Sequence, residues 1–265
     1  MADVRPPAVA GSFYPALPAR LAEQVERLLA GADPAPGRAP KALIVPHAGY
    51  VYSGPIAATA YACLRGADRI RRVVLLGPAH TVPLRGLALP GADALATPLG
   101  EVQVDAAGAG IASAFRQVVV DSIAHAREHS LEVQLPFLQA VLPGVPVVPL
   151  VVGQSEAFAV AQVLEALWGG AETLVLVSSD LSHYLPYAQA KRADRATADQ
   201  ILALDEPIDP DQACGAYAVN GLLVVARRKN LRCRELDLRN SGDTAGDRSR
   251  VVGYGAFAFD EGGDS

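Results

Sequence analysis

Cysteine is scarce and scattered in this chain of 265 residues. Cys63, Cys214 and Cys233 are odd in number, widely separated and never paired as CxxC. That excludes a disulfide framework and a cysteine-rich structural zinc site. Positive charge is short as well. With 23 Lys and Arg against 28 Asp and Glu, the formal net charge is −5 and the pI about 5.5. No bulk basic field therefore draws nucleic acid or an anionic membrane surface. Long apolar runs are absent: no stretch approaches the ~18 residues of a membrane span. The N-terminal MADVRPPAVAGSFYPALPAR lacks the apolar segment of a signal peptide. The expectation is a cytoplasmic protein with no nucleic-acid and no membrane partner. Phosphate loops are missing too, since no GxGxxG follows a strand and no GxSxG elbow is present.

What the chain does have is core material, with 51% hydrophobic residues. Residues 1–18 read as an irregular N-terminal arm, apart from a helix start at Pro18. Leu21, Val25, Leu28 and Leu29 then recur at helical spacing over Pro18–Ala30. Gly31–Pro40 is a loop, and Ala42–Val45 a buried strand. Ser53 and Pro55 mark a helix start, with Ser53 as N-cap and the helix over Ile56–Leu64. Asp105 is placed to cap Ala106–Phe115. Further strands are expected at Arg72–Gly77, Gly86–Leu89, Glu101–Val104, Val118–Asp121, Val145–Val152, Thr173–Val177, Cys233–Leu238 and Val251–Phe259. Helices are expected at Glu156–Trp168, Tyr187–Leu204 and Asp211–Arg228, with another opening near Glu128 whose apolar face is Leu131, Leu135, Leu138 and Leu142. This alternation predicts one α/β domain over 1–265, a central mixed, mostly parallel sheet flanked by helices, with 260–265 as a C-terminal tail.

Three apolar runs each deliver a histidine just past their end. Ala42–Val45 leads to His47, Val73–Gly77 to His80, and Thr173–Val177 to Asp180 and His183. In open α/β sheets the ligand crevice lies outside the carboxyl ends of the strands, so these imidazoles are expected to share a site. Asp180 beside His183 can orient that imidazole and raise its basicity, or cap a short helix. His129 and Glu132, three residues apart at a helix start, can act together as acid and base; a capping arrangement around Ser130 accounts for the acidic residues equally well. His125, in a segment with no strand before it, reads as a surface residue. Cys214 lies near a predicted helix start, where the dipole lowers a thiol pKa. A thiolate with two imidazoles favours iron or copper and also admits zinc, whereas two imidazoles and a carboxylate suggest non-haem iron. Ser178-Ser179-Asp180 is a weak serine-nucleophile signal with no oxyanion loop beside it.

Taken together, Ala10–Tyr14 (AGSFY), Pro46–Gly54 (PHAGYVYSG), Gly77–His80 (GPAH), Glu128–Glu132 (EHSLE), Ser178–His183 (SSDLSH), Cys214-Gly215, Gly242–Thr244 (GDT) and Gly253–Ala256 (GYGA) resemble, in order and spacing, the Memo family. Its bacterial members are called component B of the AmmeMemoRadiSam system. The resemblance implies a fold similar to class III extradiol dioxygenases. It implies metal at His47, His80 and Cys214, with Asp180 and His183 lining the same pocket. One ion is expected, iron or copper, with zinc possible, serving a metal-dependent redox or dioxygenase-like enzyme of unknown substrate. The alternative it implies is a non-catalytic adaptor, since a eukaryotic relative is described as binding a phosphotyrosine peptide in a pocket matching Phe13 and Tyr52. Candidate partners are then a small molecule or peptide and the proteins of a radical-SAM-linked system.

Overall fold

The computed structural model describes residues 3–33 and 39–262. Parts of the expected 31–40 loop, the tail and the first two residues of the arm lie outside that range. In chain order the elements are β1 (Val4–Arg5), α1 (Pro18–Ala30), β2 (Ala42–Val45), α2 (Tyr50–Ala62), β3 (Arg72–Pro78), β4 (Leu87–Leu89), β5 (Ala94–Thr97), β6 (Gly100–Gln103), α3 (Ala106–Ser113), β7 (Val118–Val120) and α4 (Ser122–Ala126). A 3-10 turn (Glu132–Gln134) leads into α5 (Leu135–Val141). Then come β8 (Val147–Val152), α6 (Ala157–Leu167), β9 (Thr173–Ser178), β10 (His183–Leu185), α7 (Tyr187–Leu202), α8 (Ala216–Arg228), β11 (Arg232–Asn240), α9 (Ser241–Thr244) and β12 (Val251–Asp260).

The main sheet runs β10-β12-β2-β9-β3-β8-β4-β7, with β11 also paired to β12. Its centre, β2-β9-β3-β8, is parallel, and antiparallel pairs join it on both flanks. The central strands are buried along nearly their whole length, as parallel strands covered on both faces must be. Alternation sends Leu43, Val45, Val73, Leu75, Leu174 and Leu176 to one face, beneath α1, α2 and α5. It sends Ile44, Val74, Leu76, Val175 and Val177 to the other, beneath α6 and α8. This is the expected single α/β domain with a mixed sheet flanked by helices.

Local chemistry explains most boundaries. α1 starts with proline in its first turn and buries Leu21, Val25 and Leu29. Asp105 does cap α3, accepting from the Ala107 and Gly108 N–H groups. Ser53 does not cap α2: that helix begins at Tyr50, carries Pro55 inside it, and the Ser53 hydroxyl donates to Ala48 O at 2.8 Å. The early start is possible because Pro55 lies in the first two turns, where the carbonyl it cannot reach is near the helix end. The arm is less irregular than expected, since Val4–Arg5 pairs in parallel with Ala94–Leu95. Glu132, buried at the start of the 3-10 turn, accepts from the Ala8 and Val9 N–H groups at 2.7 and 3.0 Å and from the Tyr14 hydroxyl at 2.5 Å, and pairs with Arg5. Among the described residues no helix is long and apolar enough to cross a membrane.

Candidate metal centre

Parallel register brings the ends of β2, β9 and β3 to one edge: Val45 pairs with Ser178, and Leu76 with Val177. His47 and His80 therefore emerge side by side, with ring centroids 5.3 Å apart. A third imidazole joins them from the segment between α4 and the 3-10 turn. His129 lies 5.5 Å from His47 and stacks on His80 at 4.7 Å and 17°. One ring nitrogen from each of the three falls within 4.8 Å of the others. Gly77 permits this closeness, because a Cβ there would meet Ser130 Oγ at 2.7 Å and the 128–131 segment could not lie against the end of β3.

Hydrogen bonds fix which nitrogens face inward. The Ser178 hydroxyl donates its one proton to Ser130 O at 2.6 Å. It must then accept from Gln134 Nε2 at 2.8 Å and from His47 Nδ1 at 2.8 Å. His47 is thus protonated on Nδ1, and its Nε2 lone pair is available. His80 donates its backbone N–H to Glu128 Oε2 at 2.6 Å and its Nδ1–H to Glu128 Oε1 at 2.9 Å, freeing its own Nε2. Burial works to raise the Glu128 carboxyl, but the His80 donors and the Ser130 N–H outweigh it and bring the pKa to about 2. A carboxylate behind an inward-facing imidazole is the usual support of a metal-ligating histidine. Burial, with the neighbouring imidazoles, holds His47 well below the ordinary histidine range. Burial also lowers His129, opposed by Glu128. Neutral imidazoles with open lone pairs are the form that binds metal.

Cys214, just before α8, places Sγ 3.4 Å from His47 Nε2. Gly215 makes this approach possible, since a Cβ there would lie 2.6 Å from Ser179 Cβ and 2.8 Å from Ser178 O. The Asp180 N–H donates to Sγ at 3.3 Å. The dipole effect expected from sequence is overruled, because burial, then the Asp180 charge, push the thiol pKa up. The Asp180 carboxylate accepts from the His47 N–H at 2.7 Å, and burial raises its pKa to about 7 against those donors. His183 stands at the exposed margin on β10, its pKa lowered by burial of the ring and by His80. Phe13 rests on His129, centroids 4.7 Å apart, and Tyr52 is 39% exposed on the first turn of α2.

A family model described as Memo-like protein matches residues 5–258. The chain belongs to the Memo family. MEMO1 family proteins of Archaeoglobus fulgidus and Methanopyrus kandleri are each 37% identical, over 97% of this chain and 99% of theirs. One from Sulfolobus acidocaldarius is 36% identical over the same shares. A crystal structure of an uncharacterised protein from Escherichia coli K12 shares the fold, with a TM-score of 0.50 and 13% identity over 82% of this chain and 98% of that one.

Within this Memo-family chain the structure brings together His47, His80, His129, Cys214, Asp180 and Phe13, with His183 and Tyr52 at the margin. Glu132 points instead to the N-terminal arm. His125, read from sequence as a surface residue, is buried, with Nε2 donating to Ala88 O at 2.7 Å and burial lowering its pKa to about 4. Short α4 packs it against β4, a contact no local pattern announces. Ser178 and Gln134, which orient His47, were missed as site residues. So was the role of Glu128, whose adjacency to His129 was the only available signal. A cavity of about 570 Å³ at the opposite sheet edge, lined by residues that include Lys41, Arg69, Thr173 and Asp260, holds none of these groups.

Proposed function

We propose that this Memo-family chain is a metal-dependent redox protein with a dioxygenase-like pocket, holding one iron or copper ion. The ion is held by Nε2 of His47, Nε2 of His80 and a ring nitrogen of His129, with the Cys214 sulfur as a further donor; zinc fits the same set. The observation that carries this reading is the convergence of three imidazoles within 4.8 Å, two of them with the opposite nitrogen already committed to Ser178 and Glu128. The donors fit a metal: His47 Nε2 is unprotonated and 3.4 Å from the Cys214 sulfur, which would serve as a thiolate ligand on losing its proton. When bound, such an ion supplies Lewis acidity and a one-electron couple.

The remaining residues manage protons and access. Asp180, titrating near pH 7, can hold or release a proton beside His47. His183, at the margin, is placed to pass one to or from a bound small molecule. Phe13 and Tyr52 form the apolar wall of the entrance, and Glu132 keeps the arm bearing Phe13 in place. Metal content of the purified chain tests the reading. The wild type is expected to retain about one ion per chain, His47→Ala and His80→Ala to lose it, and Cys214→Ser to hold it more weakly. Equal, negligible metal in wild type and His47→Ala would sink the proposal.

The exposed aromatic rings Tyr52 and Tyr184 favour one second reading, a pocket that recognises a peptide or partner protein without catalysis. Partner capture that survives His47→Ala and His80→Ala supports it; capture abolished by metal removal returns to the first.

A further inference from the structure

The margin of the pocket carries a strained aromatic residue that the metal site does not use. Tyr184 follows His183 and sits at φ 60°, in the left-handed region that a bulky side chain adopts only under strain. The strain coincides with a register irregularity: His183 pairs with Val252 and Leu185 with Val251, so Tyr184 is squeezed out between them. Its ring is not hidden as a result. It is 62% exposed and edge-on to His183 at 5.8 Å.

Arg250, the residue before β12, lays its guanidinium over this ring at 5.1 Å. The neighbouring Arg248 is differently employed, donating to Gly242 O at 3.2 Å and stacking on Tyr187. Among the described residues Arg250 is stacked but not ion-paired, and it is exposed, with no hydrogen-bond partner for the N–H donors at the edge of its plane. Asp247 accepts from the Ser249 N–H at 2.5 Å and Asp243 from the Tyr187 hydroxyl at 2.5 Å. A guanidinium held flat by an aromatic ring is pre-organised to take a carboxylate through two parallel hydrogen bonds. In a chain of net charge −5 this is a local exception beside the site.

We infer that Tyr184 and Arg250 form the specificity lip of the pocket and select a small substrate bearing a carboxylate. The carboxylate docks on Arg250, the apolar body lies along Tyr184 and Tyr52, and the far end reaches His183. This rests on the pocket reading above, but its test has a separate readout.

Benzoate and its uncharged isostere benzamide are the probes, titrated against the full chain by ligand-observed NMR, with the imidazole resonance of His183 followed in parallel. Benzoate is expected to bind at least tenfold more tightly and to shift His183. Arg250→Gln is expected to reduce benzoate to the benzamide level while leaving metal content and benzamide binding unchanged. Tyr184→Leu, which releases the guanidinium, is expected to weaken benzoate several-fold. Equal binding of the two probes, an undiminished preference in Arg250→Gln, or benzoate binding that leaves His183 unmoved overturns the proposal. Failure of the metal reading appears separately, as absent metal in a wild type that still discriminates the probes.

Discussion

Replacing Glu128 by glutamine tests whether the carboxylate behind His80 holds the site together. Its two oxygens serve three donors: Oε2 takes the His80 N–H at 2.6 Å, and Oε1 takes His80 Nδ1–H and the Ser130 N–H, each at 2.9 Å. Glutamine keeps one oxygen and turns the other into an N–H₂ group, so at least one buried donor must face another donor. An orphaned buried donor costs about 1–3 kcal/mol. Holding the carboxyl at about 2 where its ordinary value is 4.5 is worth about 3 kcal/mol in the native state. Both routes therefore give a loss on the order of 3 kcal/mol at pH 7, and they describe the same interactions, so they are not summed. The pH dependence follows from the sign. Folding depresses this pKa, so its stabilisation is complete above pH 4.5 and drains as pH falls toward 2. Urea unfolding of wild type and Glu128→Gln at pH 7 and pH 3 measures both effects. The variant should be about 3 kcal/mol less stable at pH 7, with the gap narrowing at pH 3. Its metal affinity should fall about 10–100-fold, as expected when the support of a ligating histidine is lost. A variant within 0.5 kcal/mol of wild type at pH 7, with the same acid slope, would refute the reasoning.

Three further outcomes are expected. Burial lowers His125 from 6.5 to about 4, so the folded chain takes up its proton less readily than the unfolded one; about 3 kcal/mol should be lost as pH falls from 6.5 to 4, and His125→Phe should remove that slope in urea titrations. Arg5→Met leaves the buried Glu132 charge without its guanidinium, and should cost about 3–5 kcal/mol and speed proteolysis of the arm. Gly215→Ala should cost about 1–3 kcal/mol by denaturant midpoint, because its Cβ would meet Ser179 at 2.6 Å, whereas Gly110→Ala in α3, with nothing within 4 Å, should be neutral or stabilising.

The sequence by itself determined the layered architecture and two of the three inward-facing imidazoles. Central strands buried on both faces must be continuous apolar runs, so their ends are visible where Val45 and Gly77 give way to proline and Val177 to serine. A histidine just past such an end can hardly avoid the sheet edge, and His47 and His80 were readable for that reason. Helix caps at α3 were legible because an aspartate acts on N–H groups two or three residues away. Tertiary structure alone decided what crosses from one segment to another. His129 enters the cluster because Gly77 lets its segment lie against β3, while Glu132, three residues on, turns to the arm. His125 is buried by β4, and the Ser178 hydroxyl selects the His47 tautomer only because Ser130 and Gln134 arrive from elsewhere in the chain. Hydrophobic periodicity records which face of an element is covered, but a hydrogen bond between residues a hundred positions apart leaves no periodic trace.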